Sequence, residues 1–217
     1  MNSSKDNLLA KYNDVDAFLL RKWERIFSMF FGSIFFPSKK EKRLNSLLFM
    51  LDRNSSQQVD WGDFYLVVRK VKEVYGAESE QIKFAQKTLA ALWEGLCSLA
   101  DVNEDQLISI DEWVNLLKNA DLKDEKKWFN EYKRFMFQLF DVSCDGVIDI
   151  EEYVDGMSVY GLNSQVSREA FKKFSADQKG ASKSVITQEM WSKYFDELFY
   201  STDRNALGNH LFGISDF

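Results

Sequence analysis

The side chains with the clearest potential for chemistry lie in one stretch of twelve residues, 141–152. Oxygen-bearing side chains occupy its positions 1, 3, 5, 9 and 12, and they are Asp141, Ser143, Asp145, Asp149 and Glu152. Val147, at position 7, can offer its backbone carbonyl. Hard divalent cations take about six to eight oxygen ligands, which one chain can supply only by wrapping around the ion. The spacing therefore predicts a cation-binding loop that Glu152 closes with both carboxylate oxygens.

Two further residues of this stretch match the calcium-binding loop of an EF-hand. Gly146 stands at position 6, where the chain must turn sharply with a positive φ that glycine adopts without strain. Ile148 stands at position 8, and we expect it to pair with the matching residue of a neighbouring loop in a short β-bridge. A solvated acidic turn is the alternative for a single match, so recurrence of the pattern is the decisive observation.

The pattern recurs at residues 101–112, here called loop 2, with residues 141–152 as loop 3. The predicted ligands of loop 2 are Asp101, Asn103, Asp105, the Leu107 carbonyl, Ser109 and Glu112. Gln106 stands at position 6, where glycine is usual, but a glutamate is present at position 12. Loop 2 is therefore predicted to bind calcium as loop 3 does.

A third match, loop 1, covers residues 52–63. Its candidate ligands are Asp52, Asn54, Ser56, the Gln58 carbonyl, Asp60 and Asp63. Gln57 replaces glycine at position 6, which costs roughly 1 kcal/mol or more of backbone strain. Asp63 is one methylene shorter than glutamate, so bidentate closure is harder and a six-coordinate, magnesium-tolerant site is expected. The alternative is a structural loop that has kept its shape without binding metal.

A fourth stretch, loop 4 at residues 179–190, has the loop length but not the ligands. Lys179 and Met190 occupy positions 1 and 12, where carboxylates are needed, while Ile186 keeps the apolar position 8. Loop 4 is predicted to bind no calcium and to serve as the pairing partner of loop 3. Loops 1, 2 and 3 start at residues 52, 101 and 141, a separation typical of a helix–loop–helix repeat.

The elements around the loops are predicted to be helices, since the chain contains only 1 Pro and 10 Gly. Apolar residues at helical spacing predict helices over residues 18–31, 40–51, 61–75, 79–100, 110–119, 124–140 and 150–160. Residues 1–15 are polar and are expected to be frayed. The predicted fold class is all-α.

Composition narrows the range of functions. The formal net charge of -6 and a pI near 5.0 argue against nonspecific nucleic-acid binding, which requires a basic face. Two cysteines do not form a disulfide framework, and no signal or myristoylation sequence is present at the N-terminus. The apolar run Ile26–Phe36 is about half the length that crosses a bilayer. We expect a soluble, cytoplasmic monomer.

Several short motifs resemble the sarcoplasmic calcium-binding protein family, and its calexcitin branch in particular. They lie at Leu92–Leu96, Asp111–Trp113, Phe135–Phe137 and Ser201–Gly213. The resemblance implies two EF-hand pairs packed into one compact unit, with a C-terminal tail packed on the core. With three competent loops and one degenerate loop, the expected regions are an N-terminal tail, pair 1, pair 2 and a C-terminal tail. Their bounds are 1–17, 18–120, 121–200 and 201–217.

Residues 32–51 depart from the family pattern. In the family, a segment like Lys22–Phe31 runs directly into loop 1, whereas here 20 residues intervene before Asp52. We interpret 32–51 as an insertion. The alternative is a genuine helix over 44–51 that leads into loop 1.

The function predicted from these patterns is intracellular calcium binding, as a buffer or modest sensor. A sensor opens a methionine-rich groove, and the 6 Met here form no obvious cluster. A protein target or a membrane could be contacted on calcium binding through Ile26–Phe36, although burial of that run is the preferred interpretation.

The alternative function is enzymatic, because the branch includes insect proteins described as juvenile hormone diol kinases, which would require a nucleotide. The chain has neither a phosphate-binding G-x-x-x-x-G-K-[ST] loop nor a kinase catalytic-loop pattern. Enzyme activity is left open and is not the preferred interpretation.

Overall fold

The computed structural model describes residues 8–31, 58–119, 126–174 and 185–213. Its helices, in chain order, are α1 Ala17–Phe31, α2 Trp61–Tyr75, α3 Glu80–Ala100, α4 Ile110–Asn119, α5 Lys126–Phe140, α6 Ile150–Val159, α7 Ser164–Phe174 and α8 Gln188–Tyr200, followed by a 3-10 turn at Leu207–His210. The all-α prediction is confirmed. Residues 32–57, which include the predicted insertion and most of loop 1, lie outside the described ranges.

Four very short strands join the loops in pairs. β1 (Gln58–Val59) pairs antiparallel with β2 (Ile108–Ser109), and β3 (Val147–Asp149) pairs antiparallel with β4 (Val185–Thr187). In the second pair Ile148 stands opposite Ile186. This confirms the predicted bridge between loops 3 and 4, and the first pair joins loops 1 and 2 in the same way.

A single apolar core extends through all the described helices. Its largest fully buried side chains include Trp113, Trp191, Phe135, Phe195 and Phe199. Trp128 of α5 packs between the two EF-hand pairs, and its indole N–H donates to the Leu92 carbonyl of α3 at 2.7 Å. The indole N–H groups of Trp113 and Trp191 likewise donate to backbone carbonyls, those of Trp23 and Lys133.

The N-terminal segment, residues 8–15, corrects the expectation of a frayed end. Leu8, Leu9 and Val15 pack against the core, and Tyr12 is only 4% exposed. These apolar side chains follow a helical spacing within a polar sequence, which explains why composition alone misjudged the segment. Asp16 then caps α1 by accepting from the N–H groups of residues 18 and 19.

Helix α1 is joined to the end of α8 by buried hydrogen bonds. Lys22 is completely buried, and its Nζ donates to the carbonyls of Glu197 and Ser201 at 2.8 Å each. The indole N–H of Trp23 donates to the Phe199 carbonyl at 2.7 Å. Together they supply donors to three carbonyls at the C-terminal end of α8, where carbonyls lack the N–H groups of a following turn. Burial lowers the pKa of Lys22 to about 8, with Glu197 acting in the opposite direction.

The C-terminal residues fold back onto the second pair. Leu211 and Phe212 are buried, and the Tyr153 hydroxyl donates to the Leu211 carbonyl at 2.7 Å. Gly208 lies so close to α8 that an added Cβ would come within 2.3 Å of the Tyr194 carbonyl. The turn therefore requires glycine at this position.

The apolar run at the end of α1 is described only in part. Ile26 and Phe27 are buried, as the preferred interpretation requires, and the side chains from Ser28 onward lie outside the description. No helix in the described ranges has both the length and the apolar character needed to cross a membrane.

Candidate metal centres

Loop 3 is organised around the carboxylate of Asp141, which is only 8% exposed. Its Oδ1 accepts the N–H of Asp145 at 3.1 Å, and its Oδ2 accepts the N–H of Gly146 at 3.1 Å. In the described part of the chain no lysine or arginine forms an ion pair with it. A nearly buried carboxylate without a cationic partner is costly, and a bound divalent cation would compensate that charge.

The closing end of loop 3 is a capping box at the start of α6. The Asp149 carboxylate accepts the N–H of Glu152 at 2.9 Å, and Glu152 Oε2 accepts the N–H of Asp149 at 3.1 Å. The other oxygen, Glu152 Oε1, accepts the N–H of Ser143 at 2.9 Å. Glu152 therefore spans the loop from position 12 to position 3. The Asp145 carboxylate also accepts a hydrogen bond within the loop, from the N–H of Val147 to its Oδ1 at 3.0 Å.

Loop 2 repeats this network residue by residue. Asp101 accepts the N–H groups of Asp105 at 3.2 Å and Gln106 at 2.8 Å, and Asp105 accepts that of Leu107 at 2.8 Å. Glu112 accepts the N–H of Ser109 at 2.8 Å.

The remaining contacts of loop 2 complete the likeness. Glu112 Oε1 accepts the N–H of Val102 at 3.2 Å, one position earlier than the matching contact in loop 3. Asn103 donates its side-chain amide to Asp105 at 2.9 Å. The structure thus brings the predicted ligands of loop 2 into one turn, as it does those of loop 3.

The backbones of the two loops also match. Position 4 has φ of 58° at Glu104 and 57° at Cys144, and position 6 has φ of 60° at Gln106 and 83° at Gly146. The positive φ predicted at Gly146 is confirmed. Gln106 adopts the same left-handed conformation at an energetic cost that glycine avoids.

Loop 1 is described only at its closing end. Asp60 and Asp63 form a capping box like that of loop 3, with the Asp60 N–H donating to Asp63 Oδ2 at 2.9 Å. Asp63 is buried, and Gln58 lies in the β-bridge with loop 2. The other candidate ligands, Asp52, Asn54 and Ser56, lie outside the described residues.

Loop 4 keeps the helix cap without the carboxylate. Thr187 Oγ1 accepts the N–H of Met190 at 3.3 Å, which is the first half of a capping box. Met190 has no oxygen to return the second hydrogen bond or to bind a cation. Residues 179–184, including Lys179, lie outside the description.

The donor sets of loops 2 and 3 suit calcium in chemical type, because every predicted ligand is a carboxylate, amide, hydroxyl or carbonyl oxygen. Among the described residues, no three His, Cys, Asp or Glu side chains are close enough to hold a metal as they stand. The carboxylates instead accept N–H groups of their own loops. Ion binding therefore requires these side chains to converge within a backbone that already has the loop conformation.

The family of this chain is identified by its similarity to known proteins. Calexcitin-1 of Caenorhabditis elegans is 56% identical over 214 residues, which cover 99% of this chain and 95% of that protein. The chain belongs to the sarcoplasmic calcium-binding protein family, in its calexcitin branch. No protein-family model matches it.

More distant members of the sarcoplasmic calcium-binding protein family agree with this assignment. Sarcoplasmic calcium-binding proteins I, III and IV of Branchiostoma lanceolatum are 30% identical over 122 residues, which cover 53% of this chain and 66% of those proteins. The solved structure of an amphioxus sarcoplasmic calcium-binding protein superposes with a TM-score of 0.64, covering 92% of this chain and 98% of that chain at 20% identity. The latter likeness concerns the fold alone. The diol-kinase alternative finds no support in these relatives.

Sequence reasoning missed two contacts at position 11 of loops 2 and 3. Asp111 of loop 2 is held by Tyr12 and Lys11 from the N-terminal segment, and Glu151 of loop 3 is held by Arg168 from α7. The helical spacing of Leu8, Leu9 and Tyr12 was an available signal for the first contact. Nothing local in the sequence indicates the second.

Proposed function

We propose that this protein is an intracellular calcium-binding protein, acting as a buffer or modest sensor, that binds Ca²⁺ at loops 2 and 3. The observation that carries the proposal is the repeated network in these two loops. Each has a position 1 carboxylate that accepts two loop N–H groups and a position 12 glutamate that spans the loop. Family membership supports calcium as the ion.

The role of each ligand follows from its place in the loop. Side-chain oxygens at positions 1, 3 and 5 would face the ion from one turn, while the carbonyls of Leu107 and Val147 would contribute from position 7. Ser109 and Asp149 would act directly or through water. Glu112 and Glu152 would close the shell with both oxygens. Because unbound carboxylates repel one another, occupancy would also stabilise the fold.

Loop 1 is proposed as a weaker third site that tolerates magnesium. The Asp63 carboxylate already accepts the N–H of Asp60 in the capping box of α2, and its side chain is shorter than that of glutamate. Its second oxygen is therefore less able to reach an ion. A six-coordinate ion with bound water suits such a site better than calcium does.

Several features support a buffer over a strongly opening sensor. The C-terminal residues Leu211 and Phe212 are buried against the second pair, and Lys22 joins the first pair to α8. An opening movement would have to break these contacts. We further propose that the protein is cytoplasmic and monomeric.

The test is a calcium titration by calorimetry, with and without magnesium, with a hydrophobic dye read in parallel. We expect two or three calcium ions per chain, no increase in dye signal, and competition by magnesium mainly at one site. Combining Glu112→Gln with Glu152→Gln should abolish the high-affinity binding, whereas Glu94→Gln, an exposed carboxylate outside the loops, should leave it unchanged. Absence of calcium binding in the wild type would refute the proposal.

A further inference from the structure

Position 11 of loops 2 and 3 carries a carboxylate that is not a proposed calcium ligand, and each of these carboxylates is contacted by a residue from outside its own helix–loop–helix unit. In loop 2 this residue is Asp111, and in loop 3 it is Glu151. Each directly precedes the glutamate that is proposed to close the site. A contact that fixes position 11 therefore fixes the start of the exit helix on which the closing glutamate stands.

In loop 2, the position 11 carboxylate is contacted by the N-terminal segment. The Tyr12 hydroxyl lies 3.0 Å from Asp111 Oδ1 and 3.3 Å from the Asp111 carbonyl, and Lys11 Nζ lies 2.8 Å from Asp111 Oδ2. Lys118 holds the same segment from α4, through an ion pair with Asp14 at 2.5 Å. Both lysines also approach the Tyr12 ring, at 5.6 and 5.9 Å from its centroid.

Tyr12 is suited to a permanent contact. It is 4% exposed, and its ring packs within the core. Burial, together with the Asp111 carboxylate, raises the pKa of Tyr12 to about 12, so the hydroxyl keeps its proton and remains a donor at physiological pH. The segment is in turn continuous with α1 through the Asp16 cap.

In loop 3, the contact to the position 11 carboxylate is of a different kind. Arg168 of α7 forms two hydrogen bonds to Glu151, from Nη1 to Oε1 at 2.8 Å and from Nη2 to Oε2 at 2.5 Å. Both side chains are largely exposed, at 38% and 64%. An exposed ion pair is weakened by solvent and salt, whereas the Tyr12 hydroxyl reaches the half-exposed Asp111 carboxylate from a residue that is only 4% exposed, so this contact is screened less.

We propose that Tyr12 is a positioning residue for the calcium site of loop 2, acting through Asp111, and that Arg168 has the same but weaker role at loop 3. This inference rests on the proposed calcium function. With Asp111 held by Tyr12 and Lys11, its carboxylate is kept away from the ion site and the first turn of α4 is held in place. Glu112 then needs only to rotate to meet the ion, which lowers the entropic cost of closing the site.

The two roles are separable because each loop has its own reporter. The N–H of Gln106 donates to Asp101 Oδ2 at 2.8 Å, and the N–H of Gly146 donates to Asp141 Oδ2 at 3.1 Å. Calcium bound to either carboxylate changes that hydrogen bond and hence the amide chemical shift. A nitrogen–proton correlation spectrum in chelator-buffered calcium therefore gives the affinity of each loop separately.

The experiment compares Tyr12→Phe and Arg168→Gln with the wild-type full chain. Tyr12→Phe should weaken calcium binding at loop 2 by about threefold to tenfold and leave loop 3 unchanged. Arg168→Gln should weaken loop 3 by about twofold and leave loop 2 unchanged. Tyr65→Phe, at a 52% exposed tyrosine, is the matched control and should alter neither loop.

A second variant and a second readout keep the test independent of folding. Lys11→Gln removes the exposed ion pair to Asp111 and the ammonium near the Tyr12 ring, keeps the Tyr12 hydroxyl, and should weaken loop 2 in the same direction, by about twofold. By reciprocity, calcium should slow amide hydrogen exchange in residues 8–15 of the wild type, and should not do so in Glu112→Gln. A merely structural role for Tyr12 would give no such calcium dependence.

The outcomes are distinct. If the Gln106 and Gly146 amides of the wild type do not respond to calcium, the proposed function itself fails. If they respond but Tyr12→Phe leaves loop 2 unchanged, or weakens both loops equally, the positioning role of Tyr12 is overturned and the calcium function stands.

Discussion

Over the residues that the structure describes, the third and fourth hands share the β-bridge and the cap of the exit helix but differ in chemistry. Ile148 and Ile186 are fully buried opposite each other, and a side-chain oxygen caps the following helix in both hands. Only the third hand completes its capping box, because it has Glu152 where the fourth has Met190. The bridge and the buried residue at position 8 therefore do not depend on the carboxylates, which are proposed to bind the ion.

The fourth hand is also an anchor for the first pair. Its exit helix, α8, places Trp191, Phe195 and Phe199 in the core, and its last turn is held by Lys22 and Trp23. A hand that binds no ion is therefore expected to matter for stability as much as one that does.

The largest expected effect comes from the bridge residue of the fourth hand. Without calcium, Ile186→Ala should lower the free energy of unfolding by about 2–5 kcal/mol, because removing this fully buried side chain leaves a cavity in the core. Urea denaturation in chelator measures it. Val185→Ala, a half-buried neighbour, is the control and should cost clearly less. A change below about 0.5 kcal/mol at Ile186 would mean that the fourth hand is dispensable.

The next effect separates binding from folding in the third hand. Glu152→Gln should weaken calcium binding at loop 3 by about 100-fold or more, since it removes the charge that closes the site. The amide side chain has one acceptor oxygen and can keep only one of the two N–H contacts of Glu152, so stability without calcium should fall by about 1 kcal/mol or less. Calorimetry and urea denaturation measure the two quantities. Glu189→Gln, which alters the fourth hand at position 11, should affect neither, and an equal loss of binding there would break the comparison.

Lys22 tests the anchoring role of the fourth hand. Lys22→Met should lower the free energy of unfolding at pH 7 by about 1–3 kcal/mol, because two buried hydrogen bonds from Nζ, to the carbonyls of Glu197 and Ser201, are lost. Urea denaturation of both proteins at several pH values measures this difference and its pH dependence.

The sign of that pH dependence follows from the lowered pKa. It lies at about 8 in the folded protein, below the ordinary value of 10.5. Between these pH values the unfolded chain binds a proton on Lys22 that the folded protein has released. The free energy of unfolding of the wild type therefore increases, relative to that of the variant, as the pH rises from 8 to 10.5. A difference that stays constant from pH 8 to 10.5 would contradict this account.

The smallest effect distinguishes loop 2 from loop 3. Gln106→Gly should stabilise loop 2 by about 0.5–1 kcal/mol, because φ is 60° at that position and glycine adopts it without strain. Gly146→Gln should destabilise loop 3 by a similar amount. Denaturation of the calcium-loaded variants checks both, and shifts of the same sign in the two would be inconsistent with matching backbones.

Much of this architecture is predictable because its determinants are local. The α2 prediction, 61–75, agrees with the observed bounds, and the β-bridge follows from the apolar position 8 of each loop. The carboxylates proposed to close loops 2 and 3 could be predicted from spacing alone. The contacts of Tyr12 with Asp111 and of Lys22 with α8 could not, because they join residues far apart in sequence. Tyr12 also lies in a polar stretch of sequence that conceals its burial, and Lys22 is of a charged residue type that is rarely buried.

The most direct test of the account is a crystal structure of the full chain grown with calcium, with the ions located by anomalous scattering. We predict ions bound by Asp101, Asp105 and Glu112 in loop 2 and by Asp141, Asp145 and Glu152 in loop 3, with none in loop 4. An ion in loop 4, or empty loops 2 and 3, would contradict the separation of shape from chemistry proposed for this family member.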